Sequence, residues 1–364
     1  MDYVYKFPVV KGLQAGKEYY IGMVPLKMLS RLFVEEDDLL PPEFRAQRRL
    51  NLSRIPVISQ YVLKNPDDYV FSALAASIDG EFVFKASYED SQIGILEVAM
   101  DAQFLINDGQ HRKAAILEAL KENKDLGEET IPVVFFEDRG LKKSQQIFTD
   151  LNKHAVKTSN SISELYDSRD PIAAITRRVV SEVPFIKKYT DKEKDNLGKF
   201  SSKLFTFNTF YNANKKIVGK KKPVLEDEEF IVEFWKKIVK SMPLWQEMEN
   251  RTISKTELRE SYIVTQAVVI QAFGRLGNYY RNHKDSLTDI DLEKLQNIDW
   301  NRNADHWMHR TIKANGSILT GHEAIILTTN YIKKIMAIPL DDTEKKKEQN
   351  LNETRRDNGN GTRS

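Results

Sequence analysis

Residues 104–120 read FLINDGQHRKAAILEAL. The opening apolar residues form a short strand, and Ala114, Ile116, Leu117 and Leu120 recur at helical spacing over a helix predicted for residues 113–123. Strand and helix are joined by almost nothing. Asp108 stands where a helix cap would accept hydrogen bonds from free backbone amides. Gly109 permits a tight turn and the close approach of another group. Gln110, His111 and Arg112 then fill the first helical turn, where the amides and the helix dipole favour an anion. Arg112 is a bidentate oxyanion donor and His111 titrates near neutrality, so the turn suits phosphate binding. An Asp-capped turn also serves plain local structure, with Arg112 pairing to a neighbouring acid, and the residues alone leave both readings open.

Outward from this turn, the first half mixes helix and strand. Residues 54–65 carry apolar side chains at Ile55, Val57, Ile58, Tyr61 and Val62, a helical spacing that tolerates Pro56 in the first turn. Residues 70–78 and 81–84 read as a hairpin turning at Asp79-Gly80. Residues 94–100, 104–107 and 131–136 read as further strands, and 145–151 as the start of another helix. Beyond residue 159 the three-to-four-residue apolar period dominates, around 161–182, 226–249, 256–281 and 323–337. The polar tract 341–364 has too little apolar surface to fold alone. The expected fold is therefore α+β. An α/β domain over 1–158 precedes a mainly helical domain over 159–340 and a disordered tail over 341–364.

With 41% apolar and 30% charged residues the composition is that of a soluble globular protein. No apolar run reaches membrane-spanning length and the first residues lack a signal-peptide pattern, so a cytoplasmic address and no membrane partner are expected. The chain has no cysteine. It cannot carry a persulfide, a thiolate nucleophile or a Cys-ligated metal or cluster. His306 and His309 form an H-x-x-H pair, with His322 and Glu323 further on, but the spacing fits no zinc pattern and no metal site is expected.

The net charge of +2 conceals an uneven distribution. Residues 187–222 hold eleven lysines against Asp191, Glu193 and Asp195, which is +8 and leaves −6 for the rest. Charge concentrated in this way points to a polyanion. Lys215, Lys216, Lys220, Lys221 and Lys222 are the candidate DNA contacts, residues 216–223 reading as a mobile loop. Phe200, Phe205, Phe207, Phe210 and Tyr211 interleave with these lysines, either to stack on bases or, for the phenylalanines, more naturally to form a buried cluster. No helix-turn-helix or zinc-finger pattern supplies base readout. Asp167, Arg169 and Asp170 make a dense polar group, for which helix initiation at Asp170-Pro171 is the simpler account.

The string Asp108-Gly109-Gln110-His111-Arg112, followed by Ala114-Ala115, resembles the signature of the DGQHR-domain proteins, whose best-known members form the DndB family of DNA phosphorothioation systems. The likeness extends to Arg54-Ile55-Pro56 with Tyr61, to residues 71–80, and to Phe148, Leu151, Asn152 and Lys153. It takes in Tyr166-Asp167-x-Arg169-Asp170-Pro171, Leu258-Arg259 and Leu276-Gly277-Asn278, and so runs to about residue 338. A looser resemblance in element order links the first domain to the ParB and sulfiredoxin fold, whose turn contacts nucleotide phosphates.

The resemblance implies a DNA-binding accessory protein that regulates the modification operon, with DNA as partner. Other phosphorothioation proteins and a second copy of the chain stay open as partners. It implies Gly109, Gln110, Arg112 and Asn152 as phosphate or nucleotide contacts, and a nucleotide as the cofactor the turn would take. Two alternatives are an enzyme of nucleotide or phosphate-ester hydrolysis, with His111 and Asp108 as catalytic residues, and a scaffold for the sulfur-transfer complex.

Overall fold

The structure is a computed structural model that describes residues 3–33, 50–137, 146–147, 149–151, 158–220, 223–283 and 292–360. The chain divides into two compact units, Met1–Val156 and Lys157–Ser364. Helix and mixed sheet together make it α+β.

The first unit is built on seven strands: β1 Val4–Gln14, β2 Lys17–Pro25, β3 Leu74–Asp79, β4 Phe82–Ala86, β5 Ile93–Ala99, β6 Gln103–Asp108 and β7 Thr130–Glu137. Their order is β4-β5-β1-β2-β7-β3-β6, antiparallel throughout except for the parallel pair β3–β7. The sequence reading leaves β1 and β2 unassigned. They form a hairpin closed by two residues of positive φ, Ala15 at 50° and Gly16 at 71°, with Gln14 opposite Lys17.

The hairpin expected at Asp79-Gly80 is not there. β4 pairs with β5, and β3 pairs with β6 and β7, so the two expected hairpin partners never meet. Gly80 instead bends one long strand, with φ 140° and so little room that a Cβ would lie 2.6 Å from the Ala102 Cβ. Residues 80–81 join β3 to β4 and residues 100–102 join β5 to β6, bridged by Ala99 N–H donating to Glu81 O at 2.9 Å. Two bent strands therefore form one long hairpin whose halves lie at opposite ends of the sheet order. With β1, β2 and β7 completing the circuit, the pairings close into a ring. Phe7, Phe104 and Phe135 meet inside, with centroids 5.3–6.1 Å apart, beside Val24, Leu74, Leu96, Val98 and Val133.

Helices α1 Leu29–Leu32, α2 Ile55–Lys64 and α3 Gln110–Glu122 belong to this unit. α3 turns Ile116 and Ala119 into the core cluster that also holds Val62 of α2. Residues 146–147 and 149–151 are helical, as the sequence reading expects.

The second unit is helical: α4 Asn160–Tyr166, α5 Pro171–Glu182, α6 Pro184–Tyr189, α7 Phe207–Val218, α8 Leu225–Lys240, α9 Pro243–Glu249, α10 Lys255–Ser261, α11 Ala267–His283, α12 His322–Ile335 and α13 Asp342–Asn360. The exception is a parallel pairing of Thr190–Asp191 with Phe205–Thr206. Its core gathers Phe205, Phe207, Phe210, Trp235, Trp245 and Phe273. Buried Asn214 keeps α7, α8 and α5 in register, accepting from Trp235 Nε1 at 2.8 Å and donating to Thr176 Oγ1 at 3.0 Å. Residues 216–218, expected in a mobile loop, are the end of α7. Phe207, Phe210, Asn214, Ile217 and Val218 are buried at helical spacing there.

The tract expected to be a disordered tail forms α13 through Asn360. Its apolar contribution is small, with Leu351 buried, and charge does the anchoring. Glu344 is 1% exposed and meets Lys333 at 2.7 Å and Arg275 at 2.9 Å. Glu348 takes the fork of Arg310, and Arg355 donates to the carbonyls of His306 and Met308. Polar composition misses such a helix because its partners are buried cations far away in sequence. Glu344→Ala leaves Lys333 without its counter-charge in a buried site. The expected cost is about 3 kcal/mol in urea unfolding, against less than about 1 kcal/mol for the exposed Asp342→Ala.

Candidate functional site

The DGQHR turn sits where β6 passes into α3. The register of β6 against β3 shifts just before it, Ala76 facing Ile106 and Ala75 facing Asp108. Asn107 is thus an extra residue, a bulge that re-aims the turn after it. Its side chain is fully buried. Oδ1 accepts from Ser77 Oγ at 2.8 Å, and Nδ2 has no hydrogen-bond partner. The Nε2 of Gln110, three residues on, is likewise buried and unpartnered. Two neighbouring residues of the turn therefore each hold an amide donor that no protein acceptor satisfies. Buried polar groups in that state cost stability unless a ligand or water meets them.

Gly109, at φ 105°, is the N-cap of α3, and no side chain caps the first turn. The expected Asp108 cap is not formed. Asp108 still belongs to β6, and its Oδ2 accepts from Arg112 Nη2 at 2.6 Å. Arg112 Nη1 donates to Ser72 O and Oγ, both at 2.6 Å, and to Ala73 O at 2.7 Å. The guanidinium thus ties the segment before β3 to the end of β6, with its side chain 17% exposed. The space beside Gly109 is filled from both sides. A Cβ there would lie 2.3 Å from Leu74 Cδ2 and 3.3 Å from the Arg112 guanidinium carbon.

His111 Nε2 accepts from the backbone N–H of Asn51 at 2.9 Å. In that bond Nε2 acts as the acceptor, the role of a ring nitrogen that carries no proton. The bond ties α3 to the residue that opens the approach to α2. A groove of about 270 Å³ runs along α2 and α3, lined by Leu52, Ile55, Pro56, Glu118 and their neighbours, and by none of the five turn residues.

Asp108, Gly109, Gln110, His111 and Arg112 are therefore adjacent in space, whereas Asn152 lies outside the described residues. Of the candidate DNA contacts, Lys215 and Lys216 lie on α7, Lys220 is exposed just beyond it, and Lys221 and Lys222 lie outside the described residues. Lys216 is half-buried, and burial, with Arg275 and Lys215 nearby, holds its ammonium below the usual lysine range. The basic segment is thus not one loop. It spans α6, the short strand pair and α7.

Asp170 caps α5, accepting from the amides of Ile172 and Ala173 with Pro171 in the first turn, as the helix-initiation reading expects. Its other oxygen accepts from Tyr211 at 2.6 Å. Glu164 accepts from Asn208 at 2.7 Å, and burial, with Asp195 and Asp170 nearby, pushes its carboxyl up to about 7. His306 lies in a 3-10 turn, stacked on Tyr331 at 4.3 Å and bonded to Asp299 O at 2.9 Å. Among the described residues no three His, Asp or Glu side chains are grouped to hold a metal ion. No described helix is long and apolar enough to cross a membrane.

Sequence reasoning missed Asn107, Asn51 and the 72–73 carbonyls. Only the Asn at the end of an apolar strand was a visible signal, because a bulge and a long-range carbonyl contact leave no local pattern. The geometry at Gly109 sets a test. Gly109→Ala adds a methyl in a left-handed position that Leu74 already fills, and a loss of about 2 kcal/mol or more is expected in denaturant unfolding. Gly16→Ala, also at positive φ but with open space around it, should lose measurably less.

Comparison with protein families matches residues 7–339 to DndB, described as DNA-sulfur modification-associated. No curated protein and no solved structure matches the chain. The likeness to ParB and sulfiredoxin accordingly rests on element order. The matched span takes in the strand ring, the DGQHR turn and the helical unit through α12, stopping just before α13. On that coverage, the chain belongs to the DndB family of proteins involved in DNA sulfur modification.

Proposed function

We propose that this chain is a DNA-binding accessory protein of a DNA phosphorothioate modification system, acting as a regulator of the modification operon. The observation that carries the reading is the state of the lysines between residues 187 and 222. Lys187, Lys192, Lys194, Lys215 and Lys220 are exposed and make no ion pair among the described residues. Uncompensated exposed ammonium groups on a helical scaffold neutralise phosphates without reading bases. The absence of cysteine excludes a persulfide-carrying role, which leaves regulation, DNA positioning or nucleotide handling as the part played in sulfur modification.

A second reading is favoured by one observation, the buried and unpartnered nitrogens of Asn107 and Gln110 beside an uncapped helix N-terminus. They support the turn as a nucleotide or phosphate site. Gly109, Gln110 and the first-turn amides would hold the anion, and Arg112 would shape the turn through Asp108 and Ser72. Catalysis by His111 would need its Nε2 released from Asn51. Nucleotide binding at the turn predicts a rise in melting temperature with ATP, GTP or CTP, and its loss in Gln110→Leu.

For the first reading, binding to operon DNA is expected to weaken linearly in log affinity against log salt. Replacing Lys215, Lys220, Lys221 and Lys222 with alanine should flatten that slope by roughly 0.9 for each phosphate no longer neutralised. Fluorescence anisotropy over a salt series reads both. No detectable binding at low salt, or an unchanged slope in the variant, would overturn the assignment.

A further inference from the structure

Phe200 stands apart from the aromatic residues around it. Phe205, Phe207 and Phe210 are buried, whereas Phe200 is 86% exposed, and among the described residues no other phenylalanine is exposed. Leaving such a ring in water forgoes roughly 2 kcal/mol of burial. The ring is not on a frayed segment. The parallel pairing of Thr190–Asp191 with Phe205–Thr206 closes a neck, reinforced by Leu204 N–H donating to Tyr189 O at 2.8 Å. Residues 192–204 between them form a compact loop of the Ω kind.

That loop is held on both flanks. On one, Asp195 accepts from the amides of Asn160 and Ser161, each at 2.8 Å, and Ser161 Oγ donates to Lys194 O. On the other, Arg259 donates to the carbonyls of Leu197, Gly198 and Lys199 at 2.8–3.3 Å. A turn at the tip, Ser201 N–H to Gly198 O at 3.0 Å, then presents Phe200 outward. A rigid mount for an exposed ring is what a contact residue needs, since little conformational entropy is lost on binding.

The surroundings of the ring state the charge of its partner. Lys199 Nζ lies 5.9 Å from the ring centroid. Lys203 reaches back to Lys188 O at 2.7 Å, and Lys255 to Ser202 O at 3.4 Å. Lys199, Lys203 and Lys255 therefore lie along the loop near its tip, with Lys188 at its neck. Only Lys188 and Lys199 carry an ion-paired acid among the described residues, Glu249 and Glu260 respectively. An exposed aromatic face with Lys199 beside it and further lysines along the same loop suits a base with its flanking phosphates. A purely apolar partner would strand the lysines.

We infer that the 192–204 loop is a nucleic-acid contact in which Phe200 stacks on an unstacked DNA base while the neighbouring lysines meet the backbone. One ring on a tight turn can cover one base, so the partner is single-stranded or locally opened DNA rather than an intact duplex. The inference rests on the DNA-binding reading above and adds a contact outside the five lysines of α7 and the residues after it.

The test uses the full chain and its Phe200→Ala and Phe200→Trp variants, titrated against labelled single-stranded and duplex DNA of one sequence. Phe200→Ala should lower single-strand affinity about tenfold or more, with an unchanged salt slope and an unchanged melting temperature, because no charge and little buried surface is removed. Phe200→Trp should keep the affinity, and its added emission should be quenched by the single strand. The native Trp235, Trp245, Trp300 and Trp307 are all buried and give a steady background. Unchanged single-strand affinity in Phe200→Ala, or a loss confined to the duplex, overturns the inference alone. Failure of the unaltered chain to bind either DNA at low salt removes the DNA-binding reading as well.

Discussion

The backbone at Gly109 is the constraint on which the first unit depends. A strand that ends beside Leu74 must turn into a helix within one residue, and only a residue without a Cβ can hold φ near 105° there. Once the turn is made, Arg112 comes back over it and locks Asp108 to the 72–73 segment. That lock joins the end of one bent strand to the approach of the other, which is where the ring of pairings would otherwise be free to open. The motif is a structural joint before it is anything else.

This changes what the turn can do chemically. An arginine engaged by one carboxylate and three backbone or hydroxyl oxygens is not a free oxyanion donor. The donors left open at the turn among the described residues are the uncapped first-turn amides and the side-chain amides of Asn107 and Gln110. His111 is committed through Nε2 to Asn51, which couples α3 to the start of α2. Anion binding by amides asks nothing of a proton, and it suits a binding role better than a hydrolytic one.

How much was legible depends on the range of each interaction. α3 was readable from Ala114, Ile116, Leu117 and Leu120, and the helical half from its apolar period, because those signals are local. Gly80 was misread because a Gly after an Asp marks a hairpin in most contexts. Here it bends a strand, and only contact with Ala102, twenty-two positions on, distinguishes the two cases. α7 was hidden by its lysines, whose charge reads as loop while Phe207, Phe210, Asn214 and Ile217 supply a helical stripe. α13 was hidden more deeply, since Glu344 and Glu348 look solvated until Lys333, Arg275 and Arg310 are found beneath them. At the site, the five-residue string was visible but its bulge was not. Asn107, whose Nδ2 is unpartnered, is the extra residue where the register slips.

The distribution of charge in the helical unit obeys one rule. Where the unit buries a cation, it supplies a carboxylate of its own: Glu344 for Lys333, Glu348 for Arg310 and Asp227 for Arg281. Isolated buried charge is too costly to leave unmatched. Between residues 187 and 222 that matching mostly stops, and the acids are used differently. Asp191 accepts from the amides of Glu193 and Lys194, and Asp195 from those of Asn160 and Ser161, so both shape the loop. Lys187, Lys192, Lys194, Lys215 and Lys220 stand exposed there with no ion pair among the described residues.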